Sequence, residues 1–210
     1  MLKVVTIEHD SDVESPCDWD CSWKVYSFSN RHNNFKHPRE FDLSERSNFG
    51  LRRKLAVGLA HWLSYYEHGN CLWQLRNGRH VPGSDCPWDS VSTAGIMIWE
   101  GKPSDIGSKT RESRTEDARK FLQCYTDWCN GACYWYSISD ADDKFLDSCG
   151  GFIGSDDIVE AINEHLNDDD EVIVTGDCAE IAEQNNLKCR VLDSDEYHKT
   201  TKTTYAKVED

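Results

Sequence analysis

Residues 83–100 read GSDCPWDSVSTAGIMIWE, a turn of small and polar residues that leads into a strongly apolar run. Pro87 restricts Cys86 to an extended conformation and has no backbone N–H to donate. Asp89 and Ser90 are residue types whose side chains bond the backbone amides of turns. The stretch therefore predicts a rigid corner, followed by a buried strand over residues 92–101, STAGIMIWEG.

Outward from this corner, the chain alternates strand and helix patterns. Runs rich in β-branched and aromatic residues predict strands at 2–8, 23–28, 71–75, 132–138 and 146–154. Apolar residues at helical spacing predict helices at 51–66, 115–129 and 155–166, the second capped by Thr115 and the third by Ser155. This pattern favours an α+β fold, in which two main helices pack on one face of an antiparallel sheet.

The last quarter of the chain has a different character. Its pattern predicts a strand over Val172–Thr175, a helix over Cys178–Asn185 and a strand over Lys188–Leu192. Gly176 stands alone, so the G-x-G-x-x-G phosphate cradle of nucleotide-binding βαβ units is absent from the sequence. We therefore expect an α+β core domain at 1–166 and a small, acidic, βαβ-like appendage at 167–210.

Negative charge is concentrated at the two ends of this chain, whose formal net charge is −15. Residues 1–20 carry six acids and one base, residues 21–150 carry 16 acids and 17 bases, and residues 151–210 carry 16 acids and five bases. Acidic surfaces keep proteins soluble, and they also attract basic partners. Direct nucleic-acid binding is disfavoured, because it depends on positive charge. The partner-contact candidates are the acidic run Asp168, Asp169, Asp170 and Glu171.

The sequence shows neither a secretory signal pattern nor an apolar run long enough to span a membrane, which predicts a cytoplasmic protein without a membrane partner. In a reducing compartment its ten cysteines are expected to be buried thiols, metal ligands or reactive thiols. Cys124, Cys129 and Cys133 are candidate zinc ligands. They lack the Cys-x2-Cys spacing, so buried thiols are the favoured interpretation and no cofactor is expected.

The opening corner also contains a candidate catalytic set. Cys86 could act as a nucleophile, with His68 as its base and Asp89 orienting the histidine, as in acyl transfer. The sequence does not show that the three side chains converge. The purely structural role of the corner is therefore favoured over catalysis.

A candidate ligand site combines the corner with a glycine-rich loop of similar composition. The residues are Trp88, Asp89 and Ser90 at the corner, and Asp147, Ser148, Gly150 and Gly151 in the loop. Glycines allow a ligand to approach the backbone closely, and aromatic side chains can stack on a nucleotide base. The alternative is that the second group only forms a hairpin turn.

Four motifs along the chain point to one family. They are Ser15-Pro16-Cys17-Asp18-Trp19-Asp20, Glu67-His68-Gly69, Cys86 to Ser90, and Asp147-Ser148-Cys149-Gly150-Gly151-Phe152. Across roughly residues 8–165 the sequence resembles a family of uncharacterised proteins encoded by bacteriophages and prophages. The basic-aromatic stretch after the first motif and the acidic tail depart from the family pattern. The resemblance implies a viral origin and the cytoplasm of a host cell, and it brings no known activity.

Three functions are compatible with these features. The favoured one is a phage accessory protein that acts by binding, with acidic surfaces that block a basic host defence protein, for example by imitating DNA. The second is a binder that sequesters a nucleotide signal of host immunity. The third is an enzyme that uses Cys86, His68 and Asp89, and it is the least favoured.

Overall fold

The computed structural model describes residues 1–20, 22–76, 88–107, 109–184, 187 and 190–192, and these residues belong to two compact units. The first unit comprises Met1–Val13 and Gly131–Asp210, and the second comprises Glu14–Asn130. The second unit is thus an insertion in the sequence of the first. The expected domain boundary, between residues 166 and 167, falls inside the first unit. The two units therefore differ from the expected core domain and appendage.

The described part of the chain contains nine strands, four α-helices and three short 3-10 helices, at Pro16–Asp18, Pro38–Phe41 and Arg46–Asn48. The strands are β1 (Leu2–His9), β2 (Trp23–Ser27), β3 (Ala60–His68), β4 (Asn70–Leu75), β5 (Ser90–Trp99), β6 (Cys133–Asp140), β7 (Phe145–Ile153), β8 (Glu171–Thr175) and β9 (Arg190–Leu192). The helices are α1 (Phe49–Val57), α2 (Arg111–Cys129), α3 (Ser155–Glu164) and α4 (Glu180–Gln184).

The second unit is an antiparallel sheet with the strand order β2-β5-β3-β4, and α2 packs on it. The core between them includes Trp23, Leu63, Met97, Trp99, Ala118 and Leu122. The indole N–H of Trp23 donates to Asp117 Oδ2 at 2.9 Å, so the buried ring has its polar atom satisfied by α2.

The first unit is a five-stranded sheet with the order β7-β6-β1-β8-β9. β1 is antiparallel to β6 but parallel to β8, and β8 is parallel to β9, with α4 between them in sequence. The core includes Val5, Ile7, Ile138, Ile158, Ile162 and Val172. The strand–helix–strand pattern of the tail is therefore present, and β8 forms part of this sheet through its pairing with β1.

The α+β fold class is confirmed. The single antiparallel sheet is replaced by two sheets, and that of the first unit is mixed. No helix in the described part of the chain is long and apolar enough to cross a lipid bilayer.

The predicted helix at 51–66 is wrong in its second half. α1 ends at Val57, because Gly58 takes a left-handed conformation with φ 77° that caps the helix. The chain then enters β3, where Leu63 is buried and pairs with both β4 and β5. Leucines four residues apart fit a helix, but pairing on both sides in the sheet outweighs this local pattern.

The caps of the other two helices also differ from expectation. α2 begins four residues earlier than predicted, with Thr110 as its N-cap, and the Thr110 hydroxyl accepts from Ser113 N at 3.1 Å. Thr115 lies inside α2, where its hydroxyl donates to the Arg111 carbonyl at 2.8 Å. The N-cap of α3 is Gly154, so Ser155 is its first helical residue.

Candidate functional site

A cleft of about 810 Å³ opens in the second unit. It is lined by β3, β4, the end of α2 and two loops, around residues 14–18 and 31–34. Its walls combine aromatic rings, carboxylates and thiols. The aromatic residues are Tyr65, Trp73, Tyr125 and Trp128, the acids are Glu14, Asp18 and Glu67, and the thiols are Cys17, Cys71 and Cys129.

The aromatic wall is built by strand pairing and helical spacing. Tyr65 of β3 is the cross-strand partner of Trp73 of β4, and their ring centroids are 4.5 Å apart. Tyr125 and Trp128, three residues apart on α2, stack with centroids 6.0 Å apart. Trp73 and Tyr125 are buried and support the wall, whereas Tyr65 and Trp128 are half-buried and line the cleft. Such rings form a preorganised surface for a flat ligand.

His32 stands edge-on against this wall. Its ring centroid lies 5.3 Å from that of Tyr65 and 5.7 Å from that of Trp73, and a 2.8 Å hydrogen bond joins its Nδ1 to Ser27 Oγ. Burial lowers the pKa of His32 below its usual value. The imidazole is therefore neutral at pH 7, and it contributes hydrogen-bonding capacity without charge.

Asn34 fixes the base of the cleft. Its Nδ2 donates to the Val25 carbonyl at 2.9 Å and to the Tyr125 hydroxyl at 3.0 Å. Burial is the main cause that raises the pKa of both Tyr65 and Tyr125 well above its usual value. Both hydroxyls therefore keep their protons and act as hydrogen-bond donors.

The rim of the cleft carries more negative than positive charge. Arg31 is the basic side chain among its lining residues, against three acids. The guanidinium Nη2 lies 3.6 Å from Glu67 Oε2, and because both side chains are exposed this pair contributes at most about 1 kcal/mol. The rim therefore favours a neutral or cationic ligand over a phosphorylated one.

Two of the cleft thiols are neighbours. Cys71 lies on β4 and Cys129 is the last residue of α2, and hydrogen bonding between the two side chains is the largest cause that lowers the pKa of Cys71 and raises that of Cys129. Of the other two candidate zinc ligands, Cys124 also lies on α2. Cys133 is buried in β6 of the first unit. Within the described residues no group of three or more His, Cys, Asp or Glu side chains is placed to hold a metal ion.

Two members of the predicted catalytic set come together. His68 Nδ1 lies 3.1 Å from Asp89 Oδ2. The backbone brings them there, because Glu67 N donates to the Asp89 carbonyl at 2.9 Å. Cys86 lies outside the described residues. The His68 side chain is 76% exposed, and neither it nor Asp89 lines the cleft.

The two predicted ligand loops belong to different units. In the second unit Trp88 is 93% exposed, while Asp89 and Ser90 are half-buried at the start of β5. In the first unit the other group lies on β7, as Asp147, Ser148, Gly150 and Gly151. A joint pocket of the two loops stays a prediction.

Polar groups of β7 at these positions already form hydrogen bonds and ion pairs with other side chains of the first unit. Asp147 Oδ2 accepts from the Tyr136 hydroxyl at 3.0 Å and lies 3.2 Å from His165 Nε2. The Gly151 amide donates to Asp10 Oδ2 at 2.9 Å. These contacts give the group a structural role within β7, and the expected hairpin turn is wrong for these residues, because they lie inside the strand.

The acidic run of the tail is divided between surface and interior. Asp168, Asp169 and Glu171 are exposed, but Asp170 is 5% exposed. Its Oδ2 lies 2.7 Å from Lys3 Nζ, and it also accepts from the Asn167 amide at 2.9 Å. Asp170 therefore holds β1 in place and does not belong to a partner-contact surface.

The sequence interpretation missed the aromatic cleft. Tyr125 and Trp128 fit the buried stripe of α2, and Tyr65 falls in the stretch predicted as a helix. One signal in the sequence is the aromatic spacing within YYEHGNCLW, at 65–73, where a hairpin around Gly69 places Tyr65 opposite Trp73.

Comparisons with protein-family models, with curated proteins and with solved structures find no match to this chain. The resemblance to a phage protein family stays a prediction. Function is therefore argued from the geometry of the chain itself.

Proposed function

We propose that this chain is a binding protein whose second unit takes a small flat ligand of neutral or positive charge, such as a nucleoside. The observation that carries the proposal is the cleft of about 810 Å³ with Tyr65 and Trp128 on its walls and three carboxylates at its rim. This size lies within the usual range of small-molecule sites, about 300–1,000 Å³. Stacking of a base on an aromatic side chain contributes about 1–3 kcal/mol.

The polar groups of the cleft suit the edge of a base. The neutral ring of His32 can donate or accept, and the Tyr65 oxygen can accept, because the Tyr65 proton is directed at Glu67 and Cys71. Glu14, Asp18 and Glu67 would repel phosphate groups. In a phage protein in the cytoplasm of its host, such a site would sequester a nucleoside-type signal of host immunity. Binding is favoured over catalysis, since the His68–Asp89 pair does not line the cleft.

The first test measures nucleoside binding by titration calorimetry and tryptophan fluorescence. We expect adenosine, guanosine, cytidine or uridine to bind more tightly than its own 5′-monophosphate. Trp128→Ala should weaken binding by about 5- to 150-fold, because it removes the stacking surface. The matched control is Trp88→Ala, which removes a 93% exposed tryptophan that does not line the cleft and should leave affinity unchanged.

Two results would contradict the proposal. One is tighter binding of the monophosphate than of the nucleoside. The other is the absence of binding of every nucleoside at millimolar concentration, with the variants and the wild type equally well folded by circular dichroism.

We also propose, as a second candidate, that exposed acids of the first unit bind a basic host defence protein and imitate DNA. α3 buries Ile158, Val159 and Ile162 and turns its acids outward. The exposed carboxylates on one side of α3 are Asp157, Glu160 and Glu164, they are followed by Asp168 and Asp169, and Asp156 is a further exposed acid of α3. Carboxylates at this spacing form one stripe along a helix face.

The test of this second candidate neutralises charge instead of deleting the tail. Removing 167–210 would remove Val172 and Ile173, which are buried in the sheet, and would unfold the unit. We expect the wild type to inhibit DNA cleavage by a restriction or RNA-guided nuclease, and we expect this inhibition to weaken as the salt concentration rises. A variant with Asn in place of Asp157, Asp168 and Asp169 and Gln in place of Glu160 and Glu164 should lose the inhibition. Equal inhibition by both proteins would contradict the candidate, as would no inhibition of any nuclease in the panel.

A further inference from the structure

Asn130 fastens the backbone of Cys71 to the end of α2, next to Cys129. Asn130 follows Cys129 at the end of α2, and its side chain forms two hydrogen bonds with the backbone of Cys71. The Asn130 Oδ1 accepts from Cys71 N at 2.8 Å, and Nδ2 donates to the Cys71 carbonyl at 2.9 Å. This pairing imitates one step of a strand ladder and fixes β4 against the end of α2.

Cys71, Cys129, Tyr65 and Tyr125 all line the same cleft, and Asn130, which follows Cys129 in sequence, is bonded to the backbone of Cys71. The hydrogen bond from Cys129 is the largest cause that lowers the pKa of Cys71, and the same bond raises the pKa of Cys129. Cys71 is thus the better nucleophile, and Cys129 holds the proton.

We propose that Cys71 and Cys129 form a redox-active dithiol that closes to a disulfide on reaction with a low-molecular-weight disulfide. This thiol chemistry goes beyond ligand binding and does not depend on it.

The reaction has two balanced exchange steps. The Cys71 thiolate attacks one sulfur of the small disulfide, forms a mixed disulfide and releases one small thiolate. Cys129 then loses its proton to solvent, and its thiolate attacks the Cys71 sulfur of the mixed disulfide. The second small thiolate leaves, so two protein thiols are oxidised and one small disulfide is reduced.

Cys133, Cys178 and Cys149 differ from this pair in burial or in their hydrogen bonds. Cys133 and Cys178 are buried, and burial raises the pKa of Cys178 to about 11. Cys149 is exposed, but its thiol donates to the Gly150 carbonyl at 3.8 Å. Cys149 therefore serves as the matched control. It is an accessible thiol, and its own hydrogen bond goes to a carbonyl oxygen and not to another thiol.

The experiment incubates the folded chain in glutathione buffers of graded redox ratio, quenches it with acid, alkylates the remaining thiols and identifies linked peptides by mass spectrometry. We expect a Cys71–Cys129 peptide to appear first as the buffer becomes more oxidising. Cys129→Ser should accumulate glutathione on Cys71, because the resolving thiol is missing. Cys71→Ser should form neither product, and Cys149→Ser should behave as the wild type.

A second measurement does not rely on variants. The alkylation rate of each cysteine by iodoacetamide in the reduced wild type should be about tenfold higher for Cys71 than for Cys149 at pH 7, because thiolate is the reactive form. The inference is overturned if oxidised protein contains no Cys71–Cys129 link, or if Cys71 reacts no faster than Cys149. Either failure leaves nucleoside binding untouched, since calorimetry on reduced protein tests that proposal separately.

Discussion

Replacement of Gly176 by alanine is expected to destabilise the first unit by about 2–5 kcal/mol, a large fraction of the stability of a typical domain. Gly176 has φ 98°, a conformation that costs a side chain about 1–2 kcal/mol. A Cβ at this position would lie 2.1 Å from the carbonyl oxygen of Ile7 and 2.9 Å from its carbonyl carbon. These are backbone atoms of β1 in the middle of the sheet, so they have little freedom to move aside.

The matched control for this prediction is Gly151→Ala in the same unit. Gly151 has φ 83°, but no atom lies within 4 Å of an added Cβ, so only conformational strain is introduced. Urea unfolding followed by circular dichroism measures both variants. Equal losses of stability in the two variants would show that the close approach to Ile7 is unimportant.

The second large effect is expected for Asp170→Asn, with a loss of about 3 kcal/mol. This variant leaves the Lys3 ammonium, whose side chain is 10% exposed, opposite an uncharged amide. Breaking a buried ion pair by removing one partner costs about 3–5 kcal/mol. Asp169→Asn is the control, because Asp169 is exposed and its substitution should change the free energy of unfolding by less than about 0.5 kcal/mol.

The same pair gives the protein a stability that depends on pH. The hydrogen bond from Lys3 is the largest cause that lowers the pKa of Asp170 well below its usual value. The unfolded carboxyl has a pKa of about 3.9, so the contribution is fully present above about pH 5 and is lost as the pH falls towards the folded pKa. The difference in stability between wild type and Asp170→Asn should therefore shrink in acid. A difference that stays constant down to pH 2 would contradict this assignment.

Much of the strand pattern was predictable from sequence, because alternation and β-branched residues act locally. The strand over 23–28 and the helix over 115–129 are present as β2 and α2, with shifts of a few residues at their ends. The stretch 51–66 was not predictable in the same way. Its leucines fit a helix, and only Gly58 marks the point where β3 begins.

The division of the chain was harder to predict, because it depends on pairing between distant strands. β1 lies between β6 and β8, which follow it by more than 120 residues, and local patterns give no sign of this. The cleft was hard to predict for the same reason. Its walls come from β3, β4, α2 and two loops, so each residue looks like an ordinary core or loop residue on its own.

The insertion of the second unit between β1 and β6 sets an order for folding on the ribosome. β1 emerges first, but its antiparallel partner, β6, is made only after residue 132. Residues 14–130 can fold as soon as they leave the exit tunnel, whereas the apolar strand β1, which precedes them, has no β6 to pair with at that stage. Val5 and Ile7, fully buried in the finished protein, are thus exposed in the nascent chain throughout that interval, which makes β1 a candidate binding segment for a chaperone during synthesis.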